Sequence, residues 1–171
     1  MVWSRTILDG IVVCLIFNVI VALLWMMIPN AFSKMLPAEI RKASPKRREK
    51  DILILASVLY PLYILIFVYM AVSARQAGVS GFWNLFWTGY VEMLFVNFGD
   101  LIGLDGFMRG IVKKRGMMIP GTEHCEAWNL KPWMLTLALP EHCIAGPILV
   151  CPLTGLICAG IGALIRGMRR S

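Results

Sequence analysis

Charged side chains are scarce in this chain. Only 16% of its 171 residues are Asp, Glu, Lys or Arg, whereas 58% belong to the hydrophobic set. Soluble domains contain about 25% charged residues. The composition therefore excludes an ordinary soluble domain and indicates an integral membrane protein.

Familiar catalytic motifs are also missing. The sequence has no G-x-S-x-G elbow, no H-E-x-x-H pair and no phosphate-binding glycine loop. The net charge of +7 does not indicate nucleic-acid binding, because the basic residues lack the interleaved aromatic residues of a strand-binding surface. Membrane topology and anionic lipid headgroups explain the basic residues instead.

Long apolar stretches dominate what is present. A membrane helix needs about 20 mostly apolar residues, and its backbone groups must be hydrogen-bonded internally. Four stretches meet this need, at residues 7–28, 52–72, 82–103 and 143–165. We therefore predict an all-α fold, a four-helix transmembrane bundle that forms a single domain over residues 1–171. An alternative is that Pro147 and Pro152 break the last span into a re-entrant hairpin.

The distribution of basic residues predicts the orientation. The first and third loops contain twelve lysines and arginines, against five in the rest of the chain. Because positive residues favour the cytoplasmic side, loops 29–51 and 104–142 are predicted to be cytoplasmic, with both termini outside. The basic run Arg41–Lys50 is predicted to lie against anionic headgroups.

The third predicted span carries unusual polar residues. Glu92 lies near its middle, with Asn97 and Asp100 nearer its cytoplasmic end. A charged residue at this depth costs about 2.5–3.5 kcal/mol on insertion scales, so Glu92 should face the bundle interior. We predict a proton or ion seam formed by Glu92, Asn97 and Asn18 of the first span. The alternative is that the two asparagines only join helices.

The only two histidines lie in two copies of Glu-His-Cys, at 123–125 and 141–143. Zinc sites combine Cys, His and carboxylate ligands, so a divalent metal site at His124, His142, Cys125 and Cys143 is a possible cofactor site. The alternative is that these are polar loop and helix-capping residues. Cys14, Cys151 and Cys158 lie inside spans and are predicted to be packing residues.

The run FGDLIGLDGF, followed by VKKRGMMIPGTE and a histidine that enters the last span, resembles a family of small four-span bacterial membrane proteins. The resemblance covers residues 97–146, with D-x(4)-D and I-P-G-T-E as its most specific motifs. It implies a bacterial cytoplasmic membrane location and polar family positions at Asp100, Asp105, Glu123 and His142. His124 and Cys125 depart from the family pattern. The family carries no assigned activity.

The predicted topology brings a polar cluster to the cytoplasmic interface, formed by Asp100, Asp105, Glu123, Glu141 and His142. One hypothesis is a small transport or accessory subunit that works as a homo-oligomer or with a partner membrane subunit, through a small-residue ridge at Gly155, Ala159 and Ala163. A second is an enzyme acting on a lipid-like substrate, with Asp100, Asp105, Glu123 and His142 as acid, base or metal ligands. A third is a purely structural subunit.

Overall fold

The structure is a computed structural model that describes residues 1–108 and 116–168. Every regular element in this part of the chain is a helix, so the all-α prediction is confirmed for it. The first elements are α1 (Trp3–Met27), α2 (Ala38–Ala43), α3 (Glu49–Gln76) and α4 (Phe82–Asp100), which a π-helix (Leu101–Met108) continues. The last helix, α5, runs through four successive pieces: Leu130–Trp133, Met134–Ala138, Pro140–Val150 and Cys151–Met168.

Three helices are long and apolar enough to cross a membrane: α1, α3 and the stretch Leu130–Gly167 of α5. They correspond to the first, second and fourth predicted spans. The third predicted span coincides with α4, which is less apolar because it contains Asn84, Glu92, Asn97 and Asp100.

Helix α4 lies between α1 and α5 and packs most extensively against these two. It approaches α1 closely where Gly99 meets Cys14, and it approaches α5 where Gly155 meets the Phe86 backbone. A Cβ at Gly155 would lie 2.7 Å from the Phe86 carbonyl oxygen, so only glycine permits this contact. In the predicted small-residue ridge, Gly155 and Ala159 therefore pack inside the bundle, whereas Ala163 is exposed.

Helix α5 begins well before the predicted span and continues through Pro147 and Pro152 without a break. The re-entrant hairpin is therefore not formed. A proline removes an N–H donor and clashes with the carbonyl four residues earlier. The helix accommodates this by widening into π-helical turns over Met134–Ala138 and Pro140–Val150.

Two connecting segments close the end of the bundle that was predicted to be cytoplasmic, which we call the inner end. One contains the 3₁₀ turn Pro29–Met35 and α2, and the other contains the 3₁₀ turn Glu126–Trp128. Trp25 Nε1 donates to the Met117 carbonyl at 2.9 Å, and Ile40 is fully buried. The basic run at residues 109–115 and the arginines at 169 and 170 lie outside the described residues.

Glu39 joins the two inner segments. Its carboxylate oxygens accept hydrogen bonds from the Glu126 and Ala127 backbone N–H groups, at 2.9 and 3.0 Å. Glu39→Ala is expected to lower the free energy of unfolding by about 1–2 kcal/mol, because both donors lose a charged acceptor. Hydrogen exchange at residues 126–127 should accelerate. Glu49→Ala is the matched control, since Glu49 is an exposed first-turn residue of α3, and equal exchange in both variants would contradict the assignment.

Candidate functional site

His142 is the centre of a buried polar cluster at the inner end. It lies in the π-helical part of α5 and is 5% exposed. Its Nδ1 lies 3.1 Å from Asn97 Oδ1, and its Nε2 lies 3.1 Å from Asp105 Oδ2. Asn97 also donates from Nδ2 to the His142 carbonyl at 2.7 Å. The sequence-predicted residues Asn97, Asp105 and His142 are therefore in direct contact.

The Asn97 amide fixes the proton on one side of the imidazole ring. Because Asn97 Nδ2 donates to a carbonyl, its Oδ1 must be the atom facing the ring, and Nδ1 of His142 must carry a hydrogen. On the other side, Nε2 and the Asp105 carboxyl share one proton at 3.1 Å. Both ring nitrogens of His142 are thus engaged by protein groups.

Asp105 has a second donor. Its Oδ1 accepts from Trp133 Nε1 at 2.8 Å, and Trp133 is 1% exposed. The Trp133 ring stacks on Trp128 with a centroid distance of 5.6 Å. Asp105 is consequently held between two buried N–H donors and has little freedom to rotate.

The π-helical turns explain why Asp105 reaches this cluster. Residues five apart in an α-helix point about 140° away from each other, so Asp100 and Asp105 would face different neighbours. In a π-helix the hydrogen bonds join residues five apart, and these residues lie nearly one above the other. The π-helical stretch Leu101–Met108 turns Asp105 onto the side of Asp100.

Asp100 differs from Asp105 because its carboxylate makes no hydrogen bond to another described residue. Its Oδ2 lies 4.0 Å from His142 Nε2, and its side chain is 26% exposed. Glu141, whose side chain is exposed, is another carboxylate near it. Asp100 is therefore a free acidic group next to a proton-sharing His142–Asp105 pair.

These groups line a cavity of about 140 Å³. Its polar wall consists of Asp100, Asp105, Glu141 and His142, with the Tyr63 ring nearby. The rest of the wall is apolar and comes from α1, the segment after it, α3, the π-helix after α4, and α5: Phe17, Val21, Trp25, Phe32, Met35, Leu36, Leu59, Leu104 and Leu137. An engineered cavity of about 150 Å³ holds benzene, so the volume suits a small organic group.

The predicted seam of Glu92, Asn97 and Asn18 is not joined by hydrogen bonds. Asn18 Nδ2 donates to the Cys14 carbonyl of its own helix at 2.9 Å, and its Oδ1 has no partner among the described residues. Asn97 belongs to the His142 cluster. Glu92 is completely buried, and neither of its carboxylate oxygens has a partner among the described residues.

The metal candidates are not gathered into one site. In the described part of the chain, no three His, Cys, Asp or Glu side chains are arranged to hold a metal ion. His142 has no free ring nitrogen, and Cys143 is exposed. Burial, together with the negative charges of Glu39 and Glu123, raises the pKa of the Cys125 thiol. Since the thiolate is the metal-binding form, this disfavours Cys125 as a ligand.

Glu123 lies apart from the cavity. It is exposed, and it accepts a hydrogen bond from the Gly121 N–H at 3.0 Å. Backbone hydrogen bonds from Glu123 and Gly121 lower the pKa of this carboxyl. Of the four candidate catalytic residues, the structure therefore brings together Asp100, Asp105 and His142 and leaves Glu123 in a turn.

Sequence reasoning missed a second polar cluster at the opposite, outer end. There, Asp9 is 1% exposed and accepts hydrogen bonds from Arg5, Tyr69 and Ser73. The signal that could have revealed it is the spacing of Arg5 and Asp9, because residues four apart share one face of a helix.

Comparison with known proteins gives no relative for this chain. Neither family models, curated proteins nor solved structures yield a match.

Proposed function

We propose that the chain is a four-span membrane protein that binds a small organic cation in the inner cavity, as part of a transport or accessory function. The observation that carries the proposal is Asp100, a carboxylate that makes no hydrogen bond to another described residue and lines a cavity with one acidic, His142-containing wall and otherwise apolar walls. An ammonium group would pair with Asp100, and its organic part would contact the apolar wall. Aromatic rings such as Trp25 also attract cations.

The packing of α4 supports its assignment as a fourth span. Its polar Glu92 and Asn97 face the interior, at 0% and 9% exposure, so these two side chains would be shielded from lipid. Its first turns carry a ladder of aromatic rings in edge and stacked contacts: Phe82, Trp83, Phe86, Trp87 and Tyr90. Aromatic belts are typical of membrane interfaces.

The basic segment supports the proposed orientation, with the inner end in the cytoplasm. Glu39 binds the Glu126 and Ala127 N–H groups. Arg41, Lys42 and Arg48 are left exposed around it. These side chains are available to anionic headgroups, which are concentrated on the cytoplasmic leaflet.

The hydrogen bonds of His142 favour cation binding over acid–base catalysis. A general base needs a free nitrogen within reach of the substrate, and both nitrogens of His142 contact protein groups. A purely structural subunit is also less favoured, since Asp100 and Glu92 accept no hydrogen bond from another described residue and a cavity is present. Protons should compete with the cation for the carboxylates, so binding should weaken as the pH falls.

Benzylamine, which is cationic at neutral pH, tests the proposal by calorimetric titration of the detergent-purified protein. Asp100→Asn is expected to weaken binding about 10-fold or more, because a hydrogen bond to a charged group contributes about 1.5–3 kcal/mol. Glu49→Gln is the charge-matched control, since Glu49 does not line the cavity, and it should bind as the wild type does. Benzyl alcohol, the neutral analogue, should bind weakly to all three proteins. Equal affinity of Asp100→Asn and wild type for benzylamine would contradict the proposal.

A further inference from the structure

At the centre of the outer cluster, the carboxylate of Asp9 forms an ion pair with the guanidinium of Arg5. Asp9 Oδ2 accepts from Arg5 Nε at 3.0 Å and from Ser73 Oγ, and Asp9 Oδ1 accepts from the Tyr69 hydroxyl at 2.8 Å. Both oxygens of Asp9 are therefore satisfied, and its charge is compensated by Arg5. The cluster reaches the protein surface through Arg5 and Tyr69, since the Arg5 side chain is 43% exposed and Tyr69 is 39% exposed.

Glu92 lies beside this pair without belonging to it. The groups that interact with it electrostatically are Asp9 and Arg5 of α1, Tyr69 of α3 and Cys158 of α5. None of them donates a hydrogen bond to Glu92, whose two oxygens have no partner among the described residues. The one cation in this set, Arg5, already binds Asp9 through Nε.

A fully buried carboxylate without a partner is very unfavourable, because it loses its hydration and gains nothing in return. The negative charge of Asp9 adds repulsion. A neutral carboxyl avoids both penalties and costs only the burial of one polar group. The geometry around Glu92 is thus compatible with a bound proton and unfavourable for an ionised side chain.

We propose that Glu92 is a second ion site, which holds a proton in the closed bundle and exchanges it at the outer end through the Arg5–Asp9–Tyr69 cluster. The inference rests on the transport function proposed above and adds to it that a proton moves against the organic cation. The outer cluster and the cavity lie toward opposite ends of α1, because Asp9 lies near its start whereas the cavity is lined by Phe17, Val21 and Trp25 farther along it.

Infrared spectroscopy of the ligand-free protein at neutral pH tests for the proton. The carbonyl band of a protonated carboxyl is expected in the wild type and should be reduced in Glu92→Gln, which keeps the size of the side chain. The matched control is Asp51→Asn, since Asp51 is also buried but is paired with Arg48 at 2.9 Å. This variant should keep the band, and a band that is unchanged in Glu92→Gln would overturn the proposal.

A second experiment tests from which end of the bundle the Glu92 proton exchanges. It uses oriented wild-type protein in lipid vesicles, so it does not depend on the folding of a Glu92 variant. A rise in pH imposed on the outer side with an impermeant buffer should remove the band at least 10-fold faster than the same rise imposed on the inner side. Asp9→Asn should slow the loss of the band from the outer side. Faster loss from the inner side would overturn the assigned route. No ligand is present in either experiment, so a failure of benzylamine binding and a failure of the Glu92 site remain distinguishable.

Discussion

Replacing Asp105 with alanine is expected to lower the free energy of unfolding by about 3–5 kcal/mol, the usual cost of removing one partner from a buried charged pair. Asp105 is 7% exposed and accepts from both Trp133 Nε1 and His142 Nε2. The substitution leaves two buried donors without this acceptor. Denaturant titration in detergent, followed by far-ultraviolet circular dichroism, measures the change without relying on Trp133 fluorescence.

Two variants define this effect. Asp105→Asn keeps one acceptor oxygen and should lose less stability than Asp105→Ala. Glu123→Ala removes a carboxylate from an exposed turn and should change stability by less than about 0.5 kcal/mol. If Asp105→Ala and Glu123→Ala were equally stable, the hydrogen bonds of Asp105 could not be holding the inner cluster together.

Gly146→Ala is the second substitution with a large expected effect, about 2–4 kcal/mol of lost stability. A Cβ at this position would overlap the Asn97 side chain, with 2.6 Å to its Cγ and 2.9 Å to its Nδ2. Asn97 would have to move and give up its hydrogen bonds to the His142 carbonyl and ring. Each buried polar group left without a partner costs about 1–3 kcal/mol.

Gly160→Ala on the same helix is the matched control, because a Cβ there would meet nothing within 4 Å. It should be neutral or stabilise the helix by up to about 1 kcal/mol. The same denaturant titration compares the two variants. Benzylamine affinity should also fall in Gly146→Ala, since Asn97 orients the ring beside Asp100. Similar stability of the two alanine variants would show that Gly146 has room for a side chain.

Hydropathy was sufficient to predict the helices, because apolar runs of this length have few alternatives in a membrane. Hydropathy describes α4 less well, because its polar residues lower the mean hydropathy although Glu92 and Asn97 face inward. The extent of α5 was also underestimated. Prolines at 140, 147 and 152 would ordinarily indicate a helix boundary. In the structure the helix continues through them, with π-helical turns over Pro140–Val150.

The sequence indicated several of the residues that form the site, but not the contacts between them. The expected topology placed Asp100, Asp105 and His142 at one interface, and the structure brings these three together. The role of Asn97 and the need for glycine at position 146 arise from contacts between two different helices. Residue spacing within one helix does not predict such contacts. Glu123 shares the loop but is held by its own turn.

The outer cluster also constrains how the bundle can move. Asp9 fastens α1 to α3 through Tyr69 and Ser73 near one end of both helices. Farther along the same two helices, Val21 and Leu59 stand on the cavity wall. Asp9 and Val21 are twelve residues apart on α1, which corresponds to about 18 Å along the helix axis. A tilt of about 5° around the fastened end would change the width of the other end by about 1.6 Å. A small rotation of the two helices around Asp9 would therefore change the width of the cavity in which we propose that an amine binds.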